Sequence, residues 1–262
     1  MITDIHAIDI HAHLGDYACG DEMQRRFMSG FAGRVIELAD RARTQYTVVS
    51  HMKAFFPEGN YDVVAANDEV IPIMEGSDGR LRCWAVLDPR GAKNFDQVER
   101  MLRHPLCAGI KVHPELHAYY IADYGQAIFS FAAKLGAVVK THSGQERSLP
   151  MDYVRFADAF PDMKLILAHL GFGWDGAMTH QVSAIARGKH GNIYADTSSA
   201  RSITPGLIEW AVGEVGAEKI LYGTDSPLYF APMQRARIDQ AELGDEEKRL
   251  ILRGNAERLL KL

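Results

Sequence analysis

Four histidines and one aspartate hold most of the chemistry visible in this chain: His11 and His13 in IDIHAHLG, His142 in AVVKTHSG, His169 in LILAHLG and Asp225 in ILYGTDSP. Side chains of a β-strand alternate between its two faces, so His11 and His13, two residues apart, point the same way and can grip one ion. Imidazole nitrogen together with carboxylate oxygen suits a borderline divalent metal such as zinc, and a metal with an open coordination position activates water. These residue types in this spacing lead us to expect a metal-dependent hydrolase or a close mechanistic relative.

Groups so far apart in sequence must be brought together by the elements that carry them. Short runs rich in Val, Ile, Leu and Tyr alternate with longer segments of helical period, the pattern of a parallel sheet with crossover helices. Strands are expected at Ile5–His11, Tyr46–Ser50, Leu81–Leu87, Ala108–His113, Ala137–His142, Lys164–His169, Asn192–Asp196 and Lys219–Gly223. Between them, Phe31, Val35, Leu38 and Ala42 recur at helical spacing, as do Ile121, Tyr124, Ile128, Phe131 and Leu135, which gives apolar stripes for the outside of a barrel. Thr204-Pro205 reads as an N-cap followed by a first-turn proline, Gly136 as a helix end, and Gly191-Asn192 as the entry to a strand. The tail LILRGNAERLLKL reads as a last helix returning apolar residues to the body, and Leu14–Gly30, of weak periodicity, as an extended loop placed to cover the site.

Eight strands and 262 residues predict an α/β fold, one (β/α)8 TIM-barrel domain over residues 1–262, since such barrels run to roughly 250 residues. In these barrels the active site lies at the carboxyl ends of the strands. His11, His13, His142, His169 and Asp225 would then face one mouth. Lys111 and His113, two apart in GIKVHP, would share a face of strand four. Arg147, Trp174 and Tyr229 follow strands closely enough to be substrate contacts, and Asp196 ends strand seven, where it could orient a metal-bound histidine or cap the next turn.

Composition excludes several other classes. The chain is 47% hydrophobic and 24% charged, ordinary for a globular protein, and its net charge of −5 carries no basic excess for nucleic acid. The opening MITDIHAIDIHAH lacks the positive start and apolar core of a signal peptide, and no run approaches the roughly 20 apolar residues that span a bilayer, so a soluble, cytoplasmic protein is expected. Cys19, Cys83 and Cys107 are far apart in sequence and fit no C-x-x-C motif, so they read as free thiols.

The ordered set, from IDIHAH through GIKVHP, THSG, LAHLG, ADTS and GTDSP to NAERLLKL, resembles the amidohydrolase superfamily. More narrowly, it resembles the amidohydrolase-related (amidohydrolase 2) branch, which includes small hydrolases and non-oxidative decarboxylases. Carried over residue by residue, the resemblance implies that His11, His13, His142 and Asp225 bind one divalent ion, zinc first, with Mn, Co or Fe accepted by the same donors. His169 would hydrogen-bond the bound water or the substrate, and Asp225 would also carry the proton. Binuclear members of the wider superfamily use a carboxylated strand-four lysine, which makes Lys111 the residue on which a second metal would depend; a single metal is expected here. Lys111 and His113 would then contact an anionic group on the substrate, or Lys111 would pair with Asp9 or Asp196.

Two reactions fit these groups. One is hydrolysis of a C–N or C–O bond in a small amide, cyclic amide or lactone; the alternative is metal-dependent, non-oxidative decarboxylation of a small unsaturated or aromatic acid. A non-catalytic ligand-binding barrel would be expected to have lost metal ligands, and none is missing. A phosphoesterase that also opens on His-x-His would need more acidic ligands than Leu14-Gly15-Asp16 supplies. The partner is a small molecule, with homodimerisation the default assembly.

Overall fold

A computed structural model describes residues 4–260. Eight parallel strands follow in chain order: β1 (Ala7–Leu14), β2 (Thr44–His51), β3 (Leu81–Val86), β4 (Cys107–Val112), β5 (Val139–Thr141), β6 (Leu165–Leu167), β7 (Ile193–Asp196) and β8 (Ile220–Leu221). Each pairs with the next. The seam between β8 and β1 is closed by backbone bonds, Ile10 N–H to Tyr222 O (3.0 Å), Asp225 N–H to His11 O (2.7 Å) and His13 N–H to Ser226 O (2.7 Å). The chain therefore forms the expected (β/α)8 barrel. Every expected strand has its counterpart, but β5, β6 and β8 stop early, so His142 and His169 stand just beyond their strands rather than within them, and Asp225 follows β8 as expected.

The helices are α1 (Glu22–Met28), α2 (Ala32–Arg41), α3 (Val63–Glu75), α4 (Ala92–Met101), α5 (Ile121–Leu135), α6 (Pro150–Ala159), α7 (His180–Arg187), α8 (Leu207–Val215), α9 (Ala231–Asp239), α10 (Asp245–Arg249) and α11 (Asn255–Leu260). Two local expectations are corrected. The segment after β1 is not all loop: α1 forms within it, because Asp21 accepts from Gln24 N–H while the Gln24 side chain accepts from Asp21 N–H, a reciprocal cap. Helix α8 starts at Leu207, with Gly206 rather than Thr204 at its cap. Elsewhere the punctuation holds; Gly136 closes α5 in the left-handed region.

Two cores result. Outward strand residues such as Val49, Ala85, Val112, Val139 and Leu167 pack under Val35, Ile128, Phe129, Ala184 and Ile208 of the surrounding helices. Inside the barrel, Ile8, Ile10, Val48, Trp84, Ile166 and Leu221 form a second cluster, stoppered at the amino end by Ala256, Leu259 and Leu260 of α11. The apolar tail thus fills the end of the barrel away from the expected site.

A bulge in β1 is the detail that places the chemistry. Asp9 pairs with Thr47 and Ala12 with Val49, so three steps on β1 match two on β2. Ile8 and Ile10 face the barrel interior, and after the extra residue His11 and His13 face it as well, while Ala12 and Leu14 join the outer core. A regular strand would have put the two isoleucines and the two histidines on opposite faces. The Ile10 carbonyl is taken up inside the barrel by Trp84 Nε1 (2.9 Å) and Lys140 Nζ (2.7 Å).

Candidate metal centre and active-site cavity

The two ring nitrogens of buried His11 have different partners. Nδ1 lies 3.0 Å from Asp196 Oδ2 and 2.6 Å from Ser198 Oγ, while Nε2 is 3.4 Å from Asp225 Oδ1. A carboxylate on Nδ1 keeps the proton there and leaves the Nε2 lone pair free for an ion. The close approach of His11 to Asp196 depends on Gly223, where a Cβ would stand 3.0 Å from His11 Cβ and 3.2 Å from Asp196 Cγ. Burial and the nearby Lys111 push His11 well below the ordinary histidine range, so the ring is neutral.

His13 Nε2 lies 2.9 Å from the same oxygen, Asp225 Oδ1, and its Nδ1 is buried without a hydrogen-bond partner among the described residues. Asp225 reaches this position with φ +58°, a conformation that costs a non-glycine residue energy and that the barrel seam holds through Asp225 N–H to His11 O. Burial alone would raise its carboxyl, but His11, a hydrogen bond from His13, and His169 outweigh that and keep it ionised, far below the usual carboxylate range. The ligand atoms of His11, His13 and Asp225 lie within 4.8 Å of one another. A neutral His11 imidazole beside an ionised Asp225 carboxylate is the protonation state that a divalent metal requires.

A second group with the same spacing, His11, His169 and Asp196, lies on the other side of the His11 ring. There the carboxylate is already committed. Asp196 takes a salt bridge from Lys140 Nζ (2.9 Å), hydrogen bonds from the N–H groups of His169 and Ser198 (both 3.1 Å), and a short one from Ser198 Oγ. Asp196 therefore serves as an anchor for His11 and leaves the open donors on the Asp225 side.

His142 and His169 stand on the opposite part of the rim. His169, also at positive φ (+70°), donates from Nδ1 to Ser198 O (2.7 Å), leaving Nε2 to accept from His142 Nδ1 at 3.0 Å. His142 Nε2 lies 2.5 Å from Gln145 Oε1, and its ring stacks on His113 at 4.2 Å with 10° between planes. His142 lines the same cavity as the His11–His13–Asp225 set but stands outside that cluster of ligand atoms.

Lys111 projects into the barrel with Nζ 3.2 Å from His11 Nε2 and makes no ion pair among the described residues. Burial, with the neighbouring charge of Lys140, pushes its amine down to about 7. The carboxylate pairing expected for Lys111 falls instead to Lys140, one strand over. Sequence reasoning passed over Lys140, although it stands two residues before His142 just as Lys111 stands two before His113.

His11, His13, Lys111, His113, His142, His169 and Asp225 line a buried cavity of about 120 Å³. Phe55, Phe56, Leu116 and Leu228 line it too, with Phe55 packed on the rings of His13 and His113. Nothing in the sequence pattern singled out these four, because they come from loops. Outside lies a more open compartment of about 350 Å³ that shares His113, Leu116 and His142 and adds Glu58, Glu115, Gln145 and Arg147. Arg147 Nη1 is 3.3 Å from Glu115 Oε2. Of the other expected contacts, Tyr229 follows Asp225 through a backbone bond (3.2 Å) but lines neither compartment, and Trp174 is 63% exposed and lines neither. Among the described residues no helix is long and apolar enough to cross a membrane.

Comparison with solved structures gives matches over nearly the whole barrel. A 2,6-dihydroxybenzoate decarboxylase from Rhizobium is 15% identical, with a TM-score of 0.76, covering 98% of each chain. A dihydroxybenzoic acid decarboxylase from Polaromonas sp. JS666, solved with manganese and the inhibitor 2-nitroresorcinol, is 18% identical, with a TM-score of 0.77, covering 98% of this chain and 97% of its own. A 5-carboxyvanillate decarboxylase from Sphingomonas paucimobilis is 14% identical, with a TM-score of 0.75, covering 98% and 99%. At such identities the likeness is one of fold. None of the curated proteins matches the chain as a relative. The sequence profile of the amidohydrolase family matches residues 8–262, and the chain, an enzyme by that kinship, belongs to this family.

Proposed function

We propose that this enzyme is a metal-dependent, non-oxidative decarboxylase of a small aromatic or unsaturated acid. The observation that carries this reading is the mixed lining of the cavity. Lys111, buried and without a carboxylate partner among the described residues, stands beside His11 and lines the same space of about 120 Å³ as four apolar side chains. That is the chemistry of a carboxylate attached to a flat apolar body. The solved decarboxylases of the same fold support the reading, which we favour over hydrolysis of an amide or lactone.

His11, His13 and Asp225 would hold the ion, with His142 as a further donor from the same cavity. A divalent ion there supplies Lewis acidity toward the oxygens of the acid; zinc and manganese both suit imidazole and carboxylate. Asp196 holds His11 in the tautomer that presents Nε2. Lys111 binds the acid and Phe55, Phe56, Leu116 and Leu228 exclude water around its body. Asp225, ionised at rest, takes up one proton from solvent and delivers it to the carbon that loses carbon dioxide. The C–C bonding pair stays on that carbon and forms the new C–H bond, so the reaction consumes one proton per carboxylate and needs no oxidant.

A panel of hydroxybenzoates, unsaturated acids, amides and lactones, assayed for carbon dioxide and for hydrolysis products, tests this. Carbon dioxide release from a hydroxybenzoate is expected; turnover confined to amides or lactones would overturn it. The double substitution His11→Ala with His13→Ala should strip the ion, whereas Asp225→Asn should retain much of it and lose turnover. Retention of the metal by the double variant would refute the assigned donors.

A further inference from the structure

Two cysteines that the catalytic site does not use stand side by side at the other end of the barrel. Cys83 on β3 and Cys107 on β4 are direct partners in the parallel ladder, and both pack into the core between the barrel and its helices. Neighbouring strands run about 4.8 Å apart. That spacing falls within the roughly 4.4–6.8 Å Cα range that a disulfide bridges. Cys83 is fully buried. Cys107 is half-buried and lines a cavity of about 320 Å³ with His104, Pro105, Gly109 and Val138 at the amino-terminal rim. Cys107 therefore borders an outer cavity, whereas Cys83 has no exposed surface.

We propose that Cys107 and Cys83 form a reversible thiol–disulfide site, with Cys107 as the thiol that a peroxide oxidises first and Cys83 as the resolving thiol. Position separates the two roles: Cys107 lines the rim cavity, and Cys83 is fully buried beside it. Sγ of Cys107 also lies 3.7 Å from Gly109 O. In the first step the Cys107 thiolate attacks one peroxide oxygen, the O–O bond breaks, and a sulfenic acid and hydroxide form. In the second, Cys83 sulfur attacks the sulfenic sulfur. The S–O bond breaks, the Cys83 proton leaves with the hydroxide as water, and the S–S bond forms. Peroxide is reduced by two electrons and the two thiols are oxidised by two. The product would tie β3 to β4 at the end remote from Lys111 and His113.

The metal-loaded protein, treated with hydrogen peroxide and then alkylated, is digested without reductant. A Cys83–Cys107 cross-linked peptide is expected, with Cys19 still alkylated as the internal control and the link reversed by dithiothreitol. In Cys83→Ser, a sulfenic-acid probe such as dimedone should label Cys107, and in Cys107→Ser, Cys83 should stay reduced at the same peroxide dose. Recovery of Cys83 and Cys107 both reduced, of Cys107 as sulfinic acid beside a reduced Cys83, or of a link through Cys19 would overturn the proposal. The wild-type digest decides the matter even if a variant folds poorly.

Discussion

Replacing Asp196 by Asn tests the anchoring of His11 most directly, because two separable effects should follow. Asp196 is fully buried and pairs with an equally buried Lys140 at 2.9 Å while it also holds His11 Nδ1 at 3.0 Å. Burial alone would raise its carboxyl, but Lys140 and His11 hold it well below the usual range, so it is ionised throughout the neutral region. Asp196→Asn leaves the Lys140 ammonium buried and unpaired, a loss of about 3–5 kcal/mol. At about 2–4 °C per kcal/mol for a domain near this size, the melting temperature of chelator-treated protein should fall by roughly 6–20 °C. The same change removes the carboxylate that sets the His11 tautomer, which should weaken metal binding by about 10–100-fold in a chelator competition. Lys140→Met added to Asp196→Asn removes the orphaned charge, so most of the stability should return while the metal affinity stays low. A melting temperature unchanged in Asp196→Asn, or metal affinity restored in the double variant, would refute the division of labour argued above.

Two further outcomes follow from the barrel. Gly109→Ala on β4 would place a Cβ 2.5 Å from Val138 O and 2.9 Å from the Trp84 ring at φ +153°, so urea unfolding should show a loss of about 1–3 kcal/mol; an unchanged midpoint would mean the strands yield freely. Glu209, hydrogen-bonded by Arg237 between α8 and α9, is held down at about 2. A depressed carboxyl stabilises the fold above its unfolded value of about 4.3 and loses that contribution as pH falls toward 2, so wild type and Glu209→Gln should differ at pH 6 and converge in acid; a constant difference down to the lowest pH would count against the pair.

The barrel was legible because its signals are local: eight short apolar runs, helical stripes between them and the glycine that ends α5 survive in the structure, except that Phe31, expected in the stripe of α2, precedes that helix and is exposed. Even so, Thr204 lost the cap of α8 to Gly206, and Leu14–Gly30 contains a helix, since reciprocal side-chain capping outweighs weak periodicity over so short a stretch. Lys140 was legible by the same alternation that pointed to Lys111, yet which of the two reaches Asp196 depends on strand neighbours rather than on spacing. The apolar wall of Phe55, Phe56, Leu116 and Leu228 left no pattern, because loop residues are placed by what they pack against.

By itself the sequence determined which donors exist and that they stand at the ends of strands one, five, six and eight, because alternation and punctuation are properties of neighbouring residues. The tertiary structure decided which of them meet. The bulge in β1 turns both Ile10 and His11 inward, the barrel seam sets Asp225 between two imidazoles, and the ladder brings Cys83 against Cys107. Each of those depends on register between strands far apart in the chain, which only closure of the barrel fixes.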